Sequence, residues 1–256
     1  FESDGIKKAL TGFNPTSIDD VILMNAAYRP GPMDSIPEIT EVKNGTEKPN
    51  YIIPQMEQIL GKTYGSAIYQ EQIMQLFQLV GFSLGEADVI RRAMSKKHLD
   101  EIEAAKDKFV SGMIEQGGKP ADVEKFWIRL LAFASYAFNK SHAAAYSIVS
   151  YYTAFLKYYF PCEYLSAQLS YTPEKLKLFL SDLKYAGLTL LQPDINSGVP
   201  NFAPMPGNNK QIRFGIKAIK GVSAAAQIIY DLRDTKKSNP NAHHLGPCKD
   251  YKDFIV

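Results

Sequence analysis

Apolar residues recur at helical spacing through most of this chain, a period that predicts a mainly α protein. The clearest stripe is Ile73, Leu76, Phe77 and Val80, inside "GSAIYQEQIMQLFQLVGF". Polar signals bracket such stripes. Thr16 or Ser17 can cap a helix over 18–27, with Asp19 and Asp20 near its positive end. "YRPGPM", residues 28–33, must stop that helix, because its prolines and glycine cannot continue it. "SLGE", residues 83–86, reads as a capping box opening a helix over 84–97. Further helices are predicted over 100–116, 121–135, 142–159 and 163–170. Thr172 as cap and Pro173 in the first turn open another, ending near Gly187. Past that glycine the pattern changes. "LTLLQPDIN" and "QIRFGIKAI" predict short strands separated by a loop rich in proline, glycine and asparagine. A last helix over 222–233 and a polar segment expected to be mobile, "DTKKSNPNAHHLGP", follow. The change of character sets a boundary near residue 192.

Composition narrows the function classes. The 256 residues carry a formal net charge of only +2, so any anion binding must come from local clusters. Aromatics are plentiful at 12%, enough to fill a core and leave rings for surface contacts. The two cysteines, Cys162 and Cys248, show no metal-ligand spacing and suit a reducing cytoplasm. No apolar run approaches the roughly 18 residues of a spanning helix, and no signal peptide opens the chain. The chain reads as a piece of a longer protein.

Three stretches carry candidate chemistry. In "VIRRAMSKK", residues 89–97, Val89, Ile90, Ala93 and Met94 can face a core. Arg91, Arg92, Lys96 and Lys97 then concentrate positive charge, with Arg92 and Lys96 on one face. Adjacent guanidinium forks suit phosphate oxygens; a solvated basic face with Asp88 pairing Arg92 is the plainer alternative. In "FNKSHAAAYSIVSYYTAFLKYYFP", residues 138–161, the polar groups crowd one end. Ser141 is a natural N-cap for a helix beginning at His142, and Lys140 stands beside unpaired N–H groups that favour an anion. His142 and Tyr146 share a face at that mouth, unless His142 merely bonds a nearby carbonyl. Ile148, Tyr152, Phe155 and Tyr159 form a stripe expected to be core. "YRPGPM" presents Tyr28 and Arg29 on a stiff turn, or is simply a connector. "AIKGVSAAAQII" weakly resembles a helix-hairpin-helix clasp that would offer Lys220 and Gly221 to a DNA backbone, with Ser223 where a second glycine is usual. No DxD or paired-carboxylate motif stands at the end of a convincing strand, and no P-loop or nucleophile elbow appears. The residues alone describe a helical module that grips a polyanion or nucleotide and lacks its own catalytic centre and metal site.

The same stretches carry a family resemblance. "LMNAAYRPGPMDSIPE", "TYGSAIYQEQIMQLFQLVGFSLGEADVIRRAMSKK", "FASYAFNKSHAAAYSIVSYYTAFLKYYFPCEYLSAQLS" and "IRFGIKAIKGV" resemble, in this order, the alpha subunit of bacterial DNA polymerase III, the C-family replicative polymerases. The resemblance implies a mainly α, multi-helix fingers domain over 1–192. Residues 193–256 would hold a short β-containing segment, the end of the fingers and the start of a helix-hairpin-helix region. It implies DNA-directed nucleotidyl transfer by the full subunit, with magnesium held on a palm outside this chain and the chain inactive alone. Arg91 and Arg92, extended by Lys96 and Lys97, would contact the triphosphate of the incoming dNTP. Asn139, Lys140, Ser141, His142 and Tyr146 would face the nascent base pair, in the same cleft as the arginines. Tyr28 and Arg29 would border the site. Partners would be template–primer DNA and dNTP, then the palm, thumb and clamp-binding regions, the sliding clamp and replisome subunits. The setting would be the bacterial cytoplasm and nucleoid, with no membrane. Ser95 departs from the family's usual glycine. The alternatives are a stand-alone helical nucleic-acid-binding or scaffold protein, which would bind DNA in a salt-sensitive way without nucleotide dependence, and a helical enzyme using His142.

Overall fold

A computed structural model describes residues 1, 3–96, 98–134 and 137–234. The chain forms two compact units, the first ending at Tyr151 and the second beginning at Tyr152.

The first unit is helical. Its elements are α1 (Asp4–Phe13), α2 (Ile18–Ala27), α3 (Ile36–Lys43), α4 (Met56–Leu60), α5 (Gln70–Leu79), α6 (Leu84–Lys96), α7 (Leu99–Glu115), α8 (Pro120–Ala134) and the start of α9 (Lys140–Tyr159). One core gathers α4 to α8 around Phe77, Phe109 and Trp127, whose rings pack at 4.8–6.1 Å between centroids. Burying such a ring contributes roughly 1.5–3 kcal/mol. A second core joins α1, α2 and α3 through Phe13, Leu23, Met24 and Ile39, and also takes in Tyr69 and Ala143.

Local signals account for most boundaries. Ser17 is the cap of α2: its hydroxyl accepts from Asp20 N–H, and Asp20 reaches back to Ser17 N–H. The predicted box at α6 forms too, with Ser83 N–H donating to Glu86 at 2.7 Å and Glu86 N–H to Ser83 at 3.3 Å. The turn after α2 needs Gly31, whose φ of 100° lies in the region that favours glycine.

The second unit continues α9 and adds α10 (Pro161–Tyr171), α11 (Leu176–Tyr185), β1 (Thr189–Leu190), β2 (Ala203–Met205), β3 (Asn208–Arg213) and α12 (Ala226–Asp234). The sheet order is β1-β3-β2, with β1 parallel and β2 antiparallel to β3. Cys162, Leu165, Leu169, Leu183, Phe202 and Ile212 fill its core. Residue 192 falls inside this unit.

Several expectations change. α1, α3 and α4 are additional helices; the last is a single short turn and a half, below the length at which periodicity is legible. The stretch read as loop contains β2, because Pro204 sits opposite Ile212 on an edge strand, where a missing N–H is tolerated. Thr172 does not cap a helix. Its hydroxyl donates back to Gln168 O at 2.8 Å, and Pro173 opens a 3-10 turn ahead of α11. Val89 is half exposed while Ile90, Ala93 and Met94 are buried, which is the 3.6-residue period narrowing the buried face. The largest correction concerns α9. Ile148, Tyr152, Phe155 and Tyr159 are 42–61% exposed, and the buried positions are Ala143 and Ser147. Helical spacing marks an apolar face but says nothing of what covers it.

Candidate nucleotide and phosphate site

The first unit brings the three candidate stretches together through a chain of side-chain and backbone contacts. α6 is rigid where it matters: Ile90, Ala93 and Met94 anchor it, so Arg91 and Arg92 emerge at fixed positions. One carboxylate serves both arginines. Asp88 accepts from Arg91 Nε at 2.9 Å and Nη2 at 2.8 Å, and from Arg92 Nη2 at 2.5 Å. The Arg91 hydrogen bonds hold the Asp88 carboxyl below its ordinary range. The plainer sequence reading, Asp88 beside Arg92, is therefore realised, and Arg91 joins it. Three charges in contact leave a net positive fork, and Lys96 extends it: Arg92 and Lys96 line one surface depression of about 220 Å³ with His98. Lys97 lies outside the described residues.

Arg91 also reaches away from its own helix. Its Nη1 donates to Oε1 of Gln70, 3.1 Å away at the start of α5. Gln70 in turn donates Nε2 to Ala137 O at 3.1 Å, and its backbone N–H to Phe138 O at 3.1 Å. Phe138 N–H donates to Ile68 O, so Tyr69 and Phe138 pair as an isolated parallel bridge. That bridge delivers the chain to the mouth of α9.

The cap at that mouth is not Ser141. Asn139 Oδ1 accepts His142 N–H at 3.0 Å, and Asn139 O accepts Ala143 N–H at 3.2 Å, which makes Asn139 the N-cap. The bridge explains the shift: Phe138 is held extended, so the helix turns at the very next residue, and α9 starts at Lys140. Lys140 N–H points to Glu71 at 3.4 Å, and its ammonium lies 5.4 Å from the Tyr69 ring centroid. Burial, with Asp19 and Glu71 nearby, raises the Tyr69 hydroxyl well above its ordinary value and keeps it neutral. Ser141 and His142 are exposed. The His142 ring lies between two others, edge-on to Phe138 at 5.3 Å and tilted over Tyr146 at 4.7 Å.

The 28–33 turn arrives at the same place from the other side. The Arg29 guanidinium stacks 3.7 Å over the Phe138 ring. Tyr28 turns toward α1, where a side-chain carbon on Gly5 would overlap its hydroxyl. Asn25 of α2 ties down the first turns of α9 by donating to Ala143 O and Ser147 Oγ.

The geometry thus links Arg29, Phe138, Gln70 and Arg91, and places Asn139, Lys140 and His142 beside that line. Lys220 and Gly221 belong to the second unit. They are exposed, Gly221 has a φ of 86°, and only a 3-10 turn, Ile216–Ala218, precedes them before α12. Among the described residues no three His, Cys, Asp or Glu side chains gather as a metal site, and no helix is long and apolar enough to cross a membrane. Gln70 and Asn25 were missed by sequence reasoning. A polar residue in the first turn of an amphipathic helix carries no local mark of a partner 67 positions away.

The fold is a helical domain, and the comparisons give its class: residues 1–117 match the family model described as bacterial DNA polymerase III alpha subunit finger domain. Over nearly its whole length, the chain is 42% identical across 243 residues to DNA polymerase III subunit alpha of Treponema pallidum, covering 93% of this chain and 20% of that protein. It is 38% identical over 260 residues to the same subunit of Borreliella burgdorferi, covering 100% of this chain and 22% of that protein. Against the subunit of Thermus aquaticus the identity is 38% over 264 residues, covering 99% of this chain and 21% of that protein. The chain belongs to the DNA polymerase III alpha subunits and carries their finger domain. It spans about a fifth of the length of the curated relatives it matches.

Proposed function

We propose that this chain is the part of a template-directed DNA polymerase that grips the incoming nucleotide. Supporting the reading is the Gln70 link, which joins the arginine pair of α6 to the mouth of α9. Arg91 and Arg92, with Lys96 and Lys97, hold the triphosphate as negative charge builds during attack on its α-phosphate and pyrophosphate departs. A polyphosphate competes with Asp88 for the guanidinium forks, so the pair is assembled before the nucleotide arrives. Asn139, Lys140, Ser141 and His142 face the nascent base pair, and Tyr146 stands behind them. Ring faces accept any base pair of correct shape, because stacking reads a ring and not a base edge. Arg29 and Tyr28 border this cleft. Lys220 and Gly221 meet a DNA backbone phosphate.

Magnesium would be held by carboxylates of a palm elsewhere in the subunit and would supply electrostatic stabilisation at the α-phosphate there. The fingers extend to about residue 192 and lead into a helix-hairpin-helix region. The partners are template–primer DNA, dNTP, the other domains of the subunit, and the clamp and replisome through those domains, all in the bacterial cytoplasm.

The test is Arg91→Ala in the full subunit. Losing charge-assisted bonds lowers kcat/KM for dNTP roughly 10- to 100-fold, through KM, with unchanged template–primer affinity. Unaltered nucleotide kinetics would remove Arg91 from the site. The isolated chain extends no primer.

A further inference from the structure

We infer that Gln70 is a positioning residue that sets the phosphate grip and the base-pair wall as one unit. The inference rests on the reading of Arg91 as a phosphate ligand. Gln70 carries one amide with two ends, and each end serves a different stretch. Oε1 accepts from Arg91 Nη1 at 3.1 Å, and Nε2 donates to Ala137 O at 3.1 Å. Its backbone N–H donates to Phe138 O, so the residue touches the 137–138 segment twice.

The neighbours make this a fixed strut. Gln72, two residues along α5, is buried and satisfied at both ends: it accepts Ile68 N–H and Tyr69 N–H at 2.9 Å, and donates to Ile59 O and Thr63 Oγ1. Those bonds hold the backbone at 68–69 and therefore the point from which Gln70 projects. On the far side, Asn139 follows Phe138 directly and caps α9. A guanidinium fork has a plane, and Asp88 fixes its Nε–Nη2 edge. The Gln70 bond holds the third nitrogen, Nη1, and so sets the rotation of that plane relative to the α9 mouth. An amide is the group that suits this place. A carboxylate would accept from Arg91 but repel Ala137 O, and a hydrocarbon would do neither.

The experiment uses the full subunit with Gln70→Met, which keeps the volume and helix propensity but removes both side-chain bonds, and Gln70→Glu, which keeps only the Arg91 bond. Single-nucleotide incorporation is measured for each, alone and combined with Arg91→Ala, with melting curves and template–primer affinity alongside. Gln70→Met is expected to raise KM for dNTP roughly 5- to 10-fold, with kcat and DNA affinity within twofold of wild type. Gln70→Glu, folded and melting like wild type, is expected to raise KM also, because it uncouples the α9 side. In the Arg91→Ala background either change adds less than about twofold, since its route to the phosphate is gone. A dNTP KM unchanged in both Gln70 variants, while Arg91→Ala is impaired, overturns the inference alone. So does full additivity with Arg91→Ala, the signature of a merely structural role. If Arg91→Ala itself is normal, the phosphate reading fails and this inference fails with it.

Discussion

Asp20 shows how much one buried carboxylate can hold. Its side chain is 3% exposed and that of Lys43 is 8% exposed, and they meet at 2.9 Å. Asp20 also accepts from Thr16 N–H and hydroxyl, Ser17 N–H and the Tyr64 hydroxyl. Burial works against the ionised form, but the bonds from Lys43, Thr16 and Tyr64 outweigh it and lower the pKa to about 2. Lys43 is shifted up for the matching reason: burial opposes its charge, and the Asp20 carboxylate more than offsets this. The folded carboxyl lies below an unfolded value near 3.9, so its stabilisation is complete above about pH 4. It is lost as pH falls toward 2, and the gap between the folded and unfolded values is worth about 2–3 kcal/mol. Urea unfolding of the chain between pH 5 and 2 should show that loss. Asp20→Asn should start about 3 kcal/mol less stable at pH 7, with Lys43 left buried and unpaired, and should show a flatter acid limb. The boundary at "TSIDD" was readable because its capping box is local. The Lys43 and Tyr64 partners were not, because they lie 23 and 44 residues away.

At the scale of elements, two helical glycines separate propensity from packing. In α6, a side-chain carbon on Gly85 meets nothing within 4 Å. Gly85→Ala should therefore stabilise by up to about 1 kcal/mol through helix propensity. In α7, the same carbon on Gly112 would come within 2.8 Å of Val80 Cβ and 2.9 Å of Val80 O, just past the end of α5. A backbone carbonyl cannot swing aside, so Gly112→Ala should cost about 1–3 kcal/mol despite the better propensity. Thermal melts of both variants check the opposite signs. The α5–α7 approach bears on the proposed site, since α5 presents Gln70 and packs on α6. Local patterning placed α6, α7 and α8 within a residue or two, and marked the apolar stripe of α5. It also found α9, but put the start two residues late, because the Tyr69–Phe138 bridge that moves the cap is a tertiary contact.

Across the whole molecule, the aromatic body of α9 is the feature that the composition hides. In the second unit, Tyr152, Tyr158 and Tyr159 are all more than half exposed, an apolar display that marks an interaction surface. Within the second unit this surface runs into an apolar pocket of about 430 Å³ lined by Ala154, Tyr158, Pro161, Leu165 and Tyr185, with the 2.8 Å Lys157–Asp182 ion pair at its rim. The isolated chain should self-associate through this face. Replacing Tyr152 and Tyr159 together with serine should lower the associated fraction in light scattering, while melting moves little, as for surface changes within about 0.5 kcal/mol.

By itself the sequence determined the helical class, the places where most helices begin and end, the arginine pair and the family, because each depends on residues within a turn or two of one another or on unbroken strings. Only the tertiary structure decided which atoms meet. It chose Asn139 over Ser141 as the cap, gave Asp88 to both arginines, and set Gln70 between Arg91 and Ala137. It also turned the Tyr152–Tyr159 face outward. Those outcomes hang on contacts between distant residues, and a period of 3.6 fixes the direction a side chain faces but not what it finds there.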